Sequence, residues 1–228
     1  MTATAGVNQL KFSSNNRKLK ELAKATGKKV YGFDLPAGWS CPGANECLSK
    51  AHKSTGKITD GANTKFRCYA ASLEAAFPQV RSLRWHNFDL LRGSLNILTL
   101  LTNSLPSGAE IVRIHTSGDF FNLEYLQAWA SLATANPTII FYGYSKRADL
   151  FSRLDGTLPP NMHFAKSAGG RYDHIDVNLP TATVVDYCPQ PFPVFSEEAD
   201  SELHLLAGGG DFGLLIHGTQ PKGWTGLN

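Results

Sequence analysis

Cys41, Cys47 and Cys68 are three of the chain's four cysteines, and they crowd into one stretch. It reads Cys41-Pro-Gly-Ala-Asn-Glu-Cys47, then a basic loop containing glycine, then Phe66-Arg67-Cys68-Tyr69-Ala70-Ala71. Thiolates are soft ligands for zinc and for iron–sulfur clusters, and packing alone is a poor reason for such crowding. The fourth, Cys188, stands far off in sequence. Structural zinc sites bring their ligands in tight pairs, with roughly two to four residues between them. Here five residues separate Cys41 from Cys47 and twenty separate Cys47 from Cys68. Dispersed thiolates on a glycine-containing loop fit a 4Fe-4S cubane better than a zinc knuckle. The competing account, a buried free thiol, is strongest for Cys188.

Such ligands need elements to carry them. Residues 1–9 are small and polar and read as an arm. Ser13, Ser14, Asn15 and Asn16 offer N-caps for a helix over 17–24 closed by Gly27. Its basic face (Arg17, Lys18, Lys20, Lys24) reads as solvent-facing, with phosphate contact the lesser reading. Lys29–Leu35 reads as a strand stopped by Pro36 and Gly38, so the cysteine loop, residues 36–72, follows it at once. Helical composition covers 69–77, 80–93 after the interruption at Pro78, and 95–101.

A repeating unit follows. Residues 109–114 form a strand running into His115-Thr116-Ser117-Gly118-Asp119 and a helix over 123–133. The next strand, 138–144, leads into Ser145-Lys146-Arg147 and a short helix over 148–154. Strands at 161–165, 182–187 and 212–216 end in Lys166-Ser167-Ala168-Gly169-Gly170, Cys188-Pro189 and His217-Gly218. Strands alternating with helices argue a mostly parallel sheet with crossover helices. Six strands, few long helices late in the chain and no dinucleotide glycine fingerprint favour an α/β single domain over 1–228: an incomplete or irregular βα barrel of about six mostly parallel strands. Pro189–Gly210 reads as a loop with one short helix, and the segment after Thr219 as a tail that packs Trp224 onto the body.

Parallel strands covered on both faces should be apolar on both, so polar residues within them are informative. The period of two groups Arg113, His115 and Ser117 on one face. It likewise groups Tyr142 and Tyr144 with Lys146, Asp186 with Cys188, and Leu215 with His217. Taken singly, each is best read as a satisfied structural group. Together they predict a polar pocket at the C-terminal rim, where βα-loops build sites. All four cysteines reach that rim. Ser167–Gly170 offers backbone N–H groups to an anion, although a plain turn is the simpler account.

With 228 residues and 42% hydrophobic content the chain can bury a full core. A formal charge of +3 permits a nucleic-acid partner without requiring one. No window approaches the roughly 18 apolar residues of a membrane span, and the N-terminus lacks a signal-peptide pattern. The expected setting is cytoplasmic with no membrane. Thiols there serve as ligands or buried groups rather than disulfides.

Cys41-Pro42-Gly43-Ala44 with Cys47, then Cys68-Tyr69-Ala70, Arg113-Ile114-His115-Thr116-Ser117-Gly118-Asp119-Phe120, Tyr125, Trp129 and Phe141-Tyr142-Gly143-Tyr144-Ser145-Lys146 form an ordered set. It resembles the gene product 88 family of phage and bacterial proteins over roughly residues 10–190. The resemblance implies a barrel-like α/β protein with cysteine ligands, placed as in radical S-adenosylmethionine enzymes, whose cluster cysteines also follow the first strand. The CxxxCxxC pattern of those enzymes is absent here.

Three functions compete. The first is a phage-encoded protein holding one 4Fe-4S cluster through Cys41, Cys47, Cys68 and Cys188, for electron transfer, redox sensing or structure, with a redox partner or host protein unidentified. The second is a radical enzyme with three cysteine ligands, an open iron that engages S-adenosylmethionine or substrate, and His115, Asp119, Lys146 or Lys166 as polar catalytic candidates. The third is a zinc-stabilised module binding nucleic acid through the basic N-terminal helix and the Lys50–Arg67 loop. If phage-encoded, the protein works in the host cytoplasm.

Overall fold

The run Ile111–Ser117 is buried at every residue, as a strand covered on both faces must be, and the fold is built outward from it. The computed structural model describes residues 9–154, 158–187, 190–196, 198–216 and 218–227. In chain order the strands are β1 (Phe12–Ser13), β2 (Val30–Asp34), β3 (Ser49–Ala51), β4 (Ile58–Asp60), β5 (Ile111–Ser117), β6 (Ile140–Ser145), β7 (Met162–Ser167), β8 (Thr181–Val185), β9 (Val194–Phe195) and β10 (Phe212–Leu215). The helices are α1 (Arg17–Thr26), α2 (Tyr69–Ala76), α3 (Pro78–Gly93), α4 (Ile97–Ser104), α5 (Leu123–Ala135), α6 (Ala148–Phe151) and α7 (Glu198–Leu206).

The sheet order is β1-β2-β5-β6-β7-β8-β10-β9, with β3 and β4 paired in a separate antiparallel hairpin. The six expected strands are β2, β5, β6, β7, β8 and β10, and they run parallel to one another. Two-residue edge strands raise the count to eight: β1 pairs antiparallel with β2, and β9 pairs parallel with β10. Such short strands leave no periodic trace in a sequence. The order is open from β1 to β9 among the described residues, so the pairing closes no barrel.

Each face of the sheet has its own core. On one, Phe33, Val112, Ile114, Phe141 and Phe164 meet Phe88, Leu101, Leu126 and Trp129 of α3, α4 and α5. On the other, Val30, Ile111, Tyr142, Ala165 and Phe212 meet Leu19 and Leu22 of α1 and Leu205 of α7. Local signals set the helix ends. The Asn16 side chain caps α1 by accepting from Lys18 N at 3.1 Å, and Gly27 ends it at φ 68°, the left-handed conformation glycine adopts most readily. Pro78, expected to interrupt a helix, instead occupies the first turn of α3, where its missing N–H costs nothing.

A local irregularity corrects the parity expectation. Phe33 pairs with Ile114, but the next residue, Asp34, pairs with Ser117. The extra residues in β5 form a bulge that breaks its period of two. Arg113, ahead of the bulge, keeps the regular register, reaches the α7 side and bonds Glu202, whereas the His115 ring, within the bulge, packs on Phe33, Phe120 and Tyr125.

Candidate functional site

The loop at 36–72 is fastened at each stage. Leu35 N donates to Ser117 O, and Ser117 Oγ donates back to Leu35 O, each at 2.8 Å. Ala37 N donates to Glu74 Oε1 at 2.8 Å, and the same oxygen accepts from Arg84 Nη1 at 2.9 Å. Glu74 of α2 thus ties the residues before Cys41 to the helix that follows Cys68. Glu46 N donates to Gly169 O at 3.0 Å and Arg171 N to Gly43 O at 2.9 Å, joining the loop to the turn after β7. A Cβ on Gly43 would lie 2.6 Å from Lys146 O, so the loop rides on the backbone that ends β6. Ser49 Oγ accepts from Cys68 N at 3.2 Å, and an Arg67–Asp60 ion pair at 2.5 Å closes the end of the hairpin. The expected packing of the tail holds as well: Trp224 Nε1 donates to Lys65 O and Arg67 N donates to Gln220 Oε1, each at 2.8 Å.

This scaffold brings Cys41, Cys47 and Cys68 to one cavity of about 200 Å³. The cavity lies at the C-terminal ends of the parallel strands. Its other walls are Asp119 and Lys146, then Tyr69, Arg113 and Tyr144, then Val184, Leu214 and Ile216 from the far side of the sheet. The three thiols are free of disulfides. Burial pushes Cys47 up to about 11, with Lys146 opposing and Cys68 adding to the rise. Burial raises Cys41 and Cys68 as well, and for Cys41 the charges of Asp119 and Cys68 add to it. Bare, these groups are protonated thiols that feel one another, and a bound metal would take the place of their protons.

Whether the residues suit a metal group is a question of donor chemistry. Among the described residues no three or more His, Cys, Asp or Glu side chains converge on a point that would hold a single ion. A cubane spreads its thiolates over different irons and has no need of such a point. Three free thiols lining one cavity are the donor type that an iron–sulfur cluster takes. Gly38 N–H points at Cys41 Sγ over 3.4 Å, a contact that favours the thiolate.

The remaining candidates separate. Asp119 is fully engaged: Oδ1 accepts from Phe120 N at 2.7 Å and Ser145 Oγ at 2.6 Å, and Oδ2 from Lys146 N at 2.9 Å. Burial raises its pKa against those three donors. Lys146 Nζ reaches Ser167 Oγ at 3.0 Å and also donates to the Ala168 carbonyl. His115 borders the cavity, but its Nε2 lies 2.8 Å from Tyr125 Oη, and burial lowers its pKa to about 3. Lys166 lies off the cavity and contacts Asp173 O at 3.5 Å. The proposed anion turn is filled from within, since Gly169 N and Gly170 N donate to the Asp173 carboxylate at 2.7 and 3.0 Å. Cys188 and His217 lie outside the described residues; Val184 and Ile216, near them in sequence, border the cavity.

Beneath the thiols lies a group that the sequence did not disclose. Arg113 Nη1 meets Glu202 Oε1 at 2.5 Å, both buried. Burial opposes the Arg113 charge, yet Glu202 and the surrounding tyrosines hold its pKa above the ordinary value. Lys18, expected to face solvent, is half-buried with Nζ 4.2 Å from the Tyr69 ring centroid. Burial lowers its pKa to about 7, and Arg113 adds to the fall. Tyr69 donates its hydroxyl to the Thr116 carbonyl, and Thr116 donates to the Asp34 carboxylate. Glu202, set among Leu203, Leu205 and Leu206, carried the one legible hint: an acidic residue in an apolar run is often buried with a partner.

Fold and site together define an α/β protein whose largely parallel sheet carries a thiol-lined cavity at its C-terminal rim. The chain belongs to the gene product 88 family, whose model matches residues 8–218. It is similar to the Gene 88 protein of Mycobacterium phage L5, 29% identical over 152 residues that cover 58% of this chain and 57% of that protein. The Gene 88 protein of Mycobacterium phage D29 is 28% identical over 152 residues with the same coverage. The chain thus spans little more than half the length of these curated relatives. No solved structure matches.

Proposed function

We propose that this chain is a phage-encoded iron–sulfur protein that binds one 4Fe-4S cluster through Cys41, Cys47 and Cys68, with Cys188 as the fourth ligand. The observation that carries the reading is the meeting of three free thiols, drawn from separate parts of one loop, in the wall of a single cavity. The cluster, when bound, supplies reversible one-electron transfer. Gly38 N–H and the Lys146 ammonium favour negative charge on Cys41 and Cys47, and hydrogen bonds and positive charge near cluster sulfurs raise reduction potential. The fastened loop holds the thiols in place. Description as an incomplete barrel belongs to this reading: one cavity takes its walls from β5 and from β8 and β10, which calls for a curled sheet. The working place is the host cytoplasm, where thiols stay reduced.

Anaerobic purification followed by iron, sulfide and zinc analysis tests this directly. About four irons and four sulfides per chain with a broad visible absorbance are expected. Zinc in their place would favour the zinc-stabilised, nucleic-acid-binding alternative.

One observation favours a second reading, a three-cysteine cluster with an open iron. The cavity extends past the thiols to Tyr69, Arg113 and Tyr144, leaving room for a small molecule beside the metal. On that reading Asp119 and Lys146 organise the rim, His115 supports the wall, and S-adenosylmethionine is one candidate ligand. Cys188→Ala separates the two: unchanged iron and sulfide in this variant would sink the four-cysteine form.

A further inference from the structure

Next to the thiol cavity the surface carries an exposed aromatic group and unpaired cations. Trp39 is 43% exposed although it lies two residues from Cys41. Its ring meets Trp85 at 5.7 Å between centroids and 56° between planes, and its Nε1 donates to Ala51 O of the β3–β4 hairpin at 2.9 Å. Lys50 Nζ lies 4.8 Å from the Trp39 ring centroid and Lys53 Nζ 4.7 Å from that of Trp85. Three cations around this hairpin are neutralised: Lys53 by Asp89, Lys65 by Glu46 and Arg67 by Asp60. Lys50 and Lys57 form no ion pair among the described residues and leave the patch positive. Gly38, the neighbour of Trp39, sends its N–H to Cys41 Sγ, so the exposed indole stands at the outer end of a short backbone path to a thiol.

We propose that Trp39, Lys50 and Lys57 form the docking face for an acidic one-electron carrier protein, and that electrons reach the cysteine site through the Trp39–Gly38–Cys41 segment. The proposal rests on the iron–sulfur reading. In each exchange the reduced carrier loses one electron and the cluster gains it; no bond forms or breaks and no proton is needed. Exposed aromatic residues rimmed by charge are the usual makings of a protein interface, and opposite charge speeds encounter. A single-stranded nucleic acid is the other polyanion to consider. It binds by stacking bases on aromatic faces, but the Trp39 ring is already capped by Lys50 and abutted by Trp85.

The test titrates purified protein, with iron and sulfide measured on the same preparation, against a plant-type two-iron ferredoxin and, separately, a single-stranded oligonucleotide. Ferredoxin binding that weakens as salt rises toward about 0.15 M is expected. Lys50→Glu with Lys57→Glu should weaken it by about tenfold or more, as should Trp39→Ala. Lys24→Glu, an exposed change on α1, should leave it unaltered. Lys50 is half-buried against Trp39, but Lys57 is exposed and forms no ion pair among the described residues, so Lys57→Glu alone keeps the test sound if Trp39→Ala or Lys50→Glu disturbs the loop. No ferredoxin binding, ferredoxin affinity indifferent to the reversals, or oligonucleotide binding that alone depends on them each overturns the docking face. Those outcomes in protein with full iron and sulfide leave the iron–sulfur reading standing; protein lacking both overturns that reading and the electron path with it.

Discussion

Asp119 was recognisable in the sequence as a polar residue at a strand end, and the structure makes it the knot of the loop after β5, with three donors on two oxygens. Asp119→Asn replaces one acceptor with an NH₂ that faces an N–H or O–H donor. It should cost about 1–3 kcal/mol in urea unfolding. His115 gives a pH signature. In the unfolded chain an imidazole takes a proton near pH 6.5, but in the fold only near about 3. Between those values the unfolded state binds the extra proton, so this group's contribution to stability falls as pH drops through the window, by ~1.4 kcal/mol per pH unit. His115→Gln should therefore show a smaller loss of stability than wild type between pH 7 and pH 5, by about 2 kcal/mol. The three cysteines were legible because their crowding has few explanations. The direction of His115 was not, because parity assumes an unbroken strand and a bulge has no marker in this sequence.

At the scale of elements, the buried Arg113–Glu202 pair fixes α7 to the centre of the sheet. Glu202→Leu leaves a buried guanidinium without its carboxylate and should destabilise the fold by about 3–5 kcal/mol. Adding Arg113→Met should restore much of that loss, because apolar groups of similar size often replace a buried pair at little cost. Equal destabilisation in the single and double variants would show that the guanidinium's other contacts dominate. Helix α7 was foreseen only as one short helix in the Pro189–Gly210 loop. The main parallel strands were easier, since runs such as Ile111–Ile114 and Thr138–Phe141 leave little choice. Gly143 illustrates a constraint hidden until chains meet: a Cβ there would overlap the Ile114 carbonyl oxygen.

For the molecule as a whole, the strand sequence announced a parallel sheet, while its two-residue edges and its open order emerged only from pairing. Among the described residues no helix is long and apolar enough to cross a membrane. If a cluster holds the loop at 36–72, its removal should loosen that loop before the sheet. After anaerobic chelation, amide exchange should quicken across residues 36–72 while β5 and β6 stay protected. Uniform protection before and after chelation would mean that the hydrogen bonds to Glu74, Gly169 and Ser117 hold the loop unaided.

The tail has a practical consequence. Lys65, Arg67 and Asp186 are each bonded by a residue between 220 and 227, so the segment works as a clasp on the strand of chain that delivers Cys68. An affinity tag fused behind Asn228 would hang from that clasp and tug on it during capture. Metal content measured on such a fusion would report the handle as much as the site, and a tag ahead of residue 9 is the better choice for every cofactor assay.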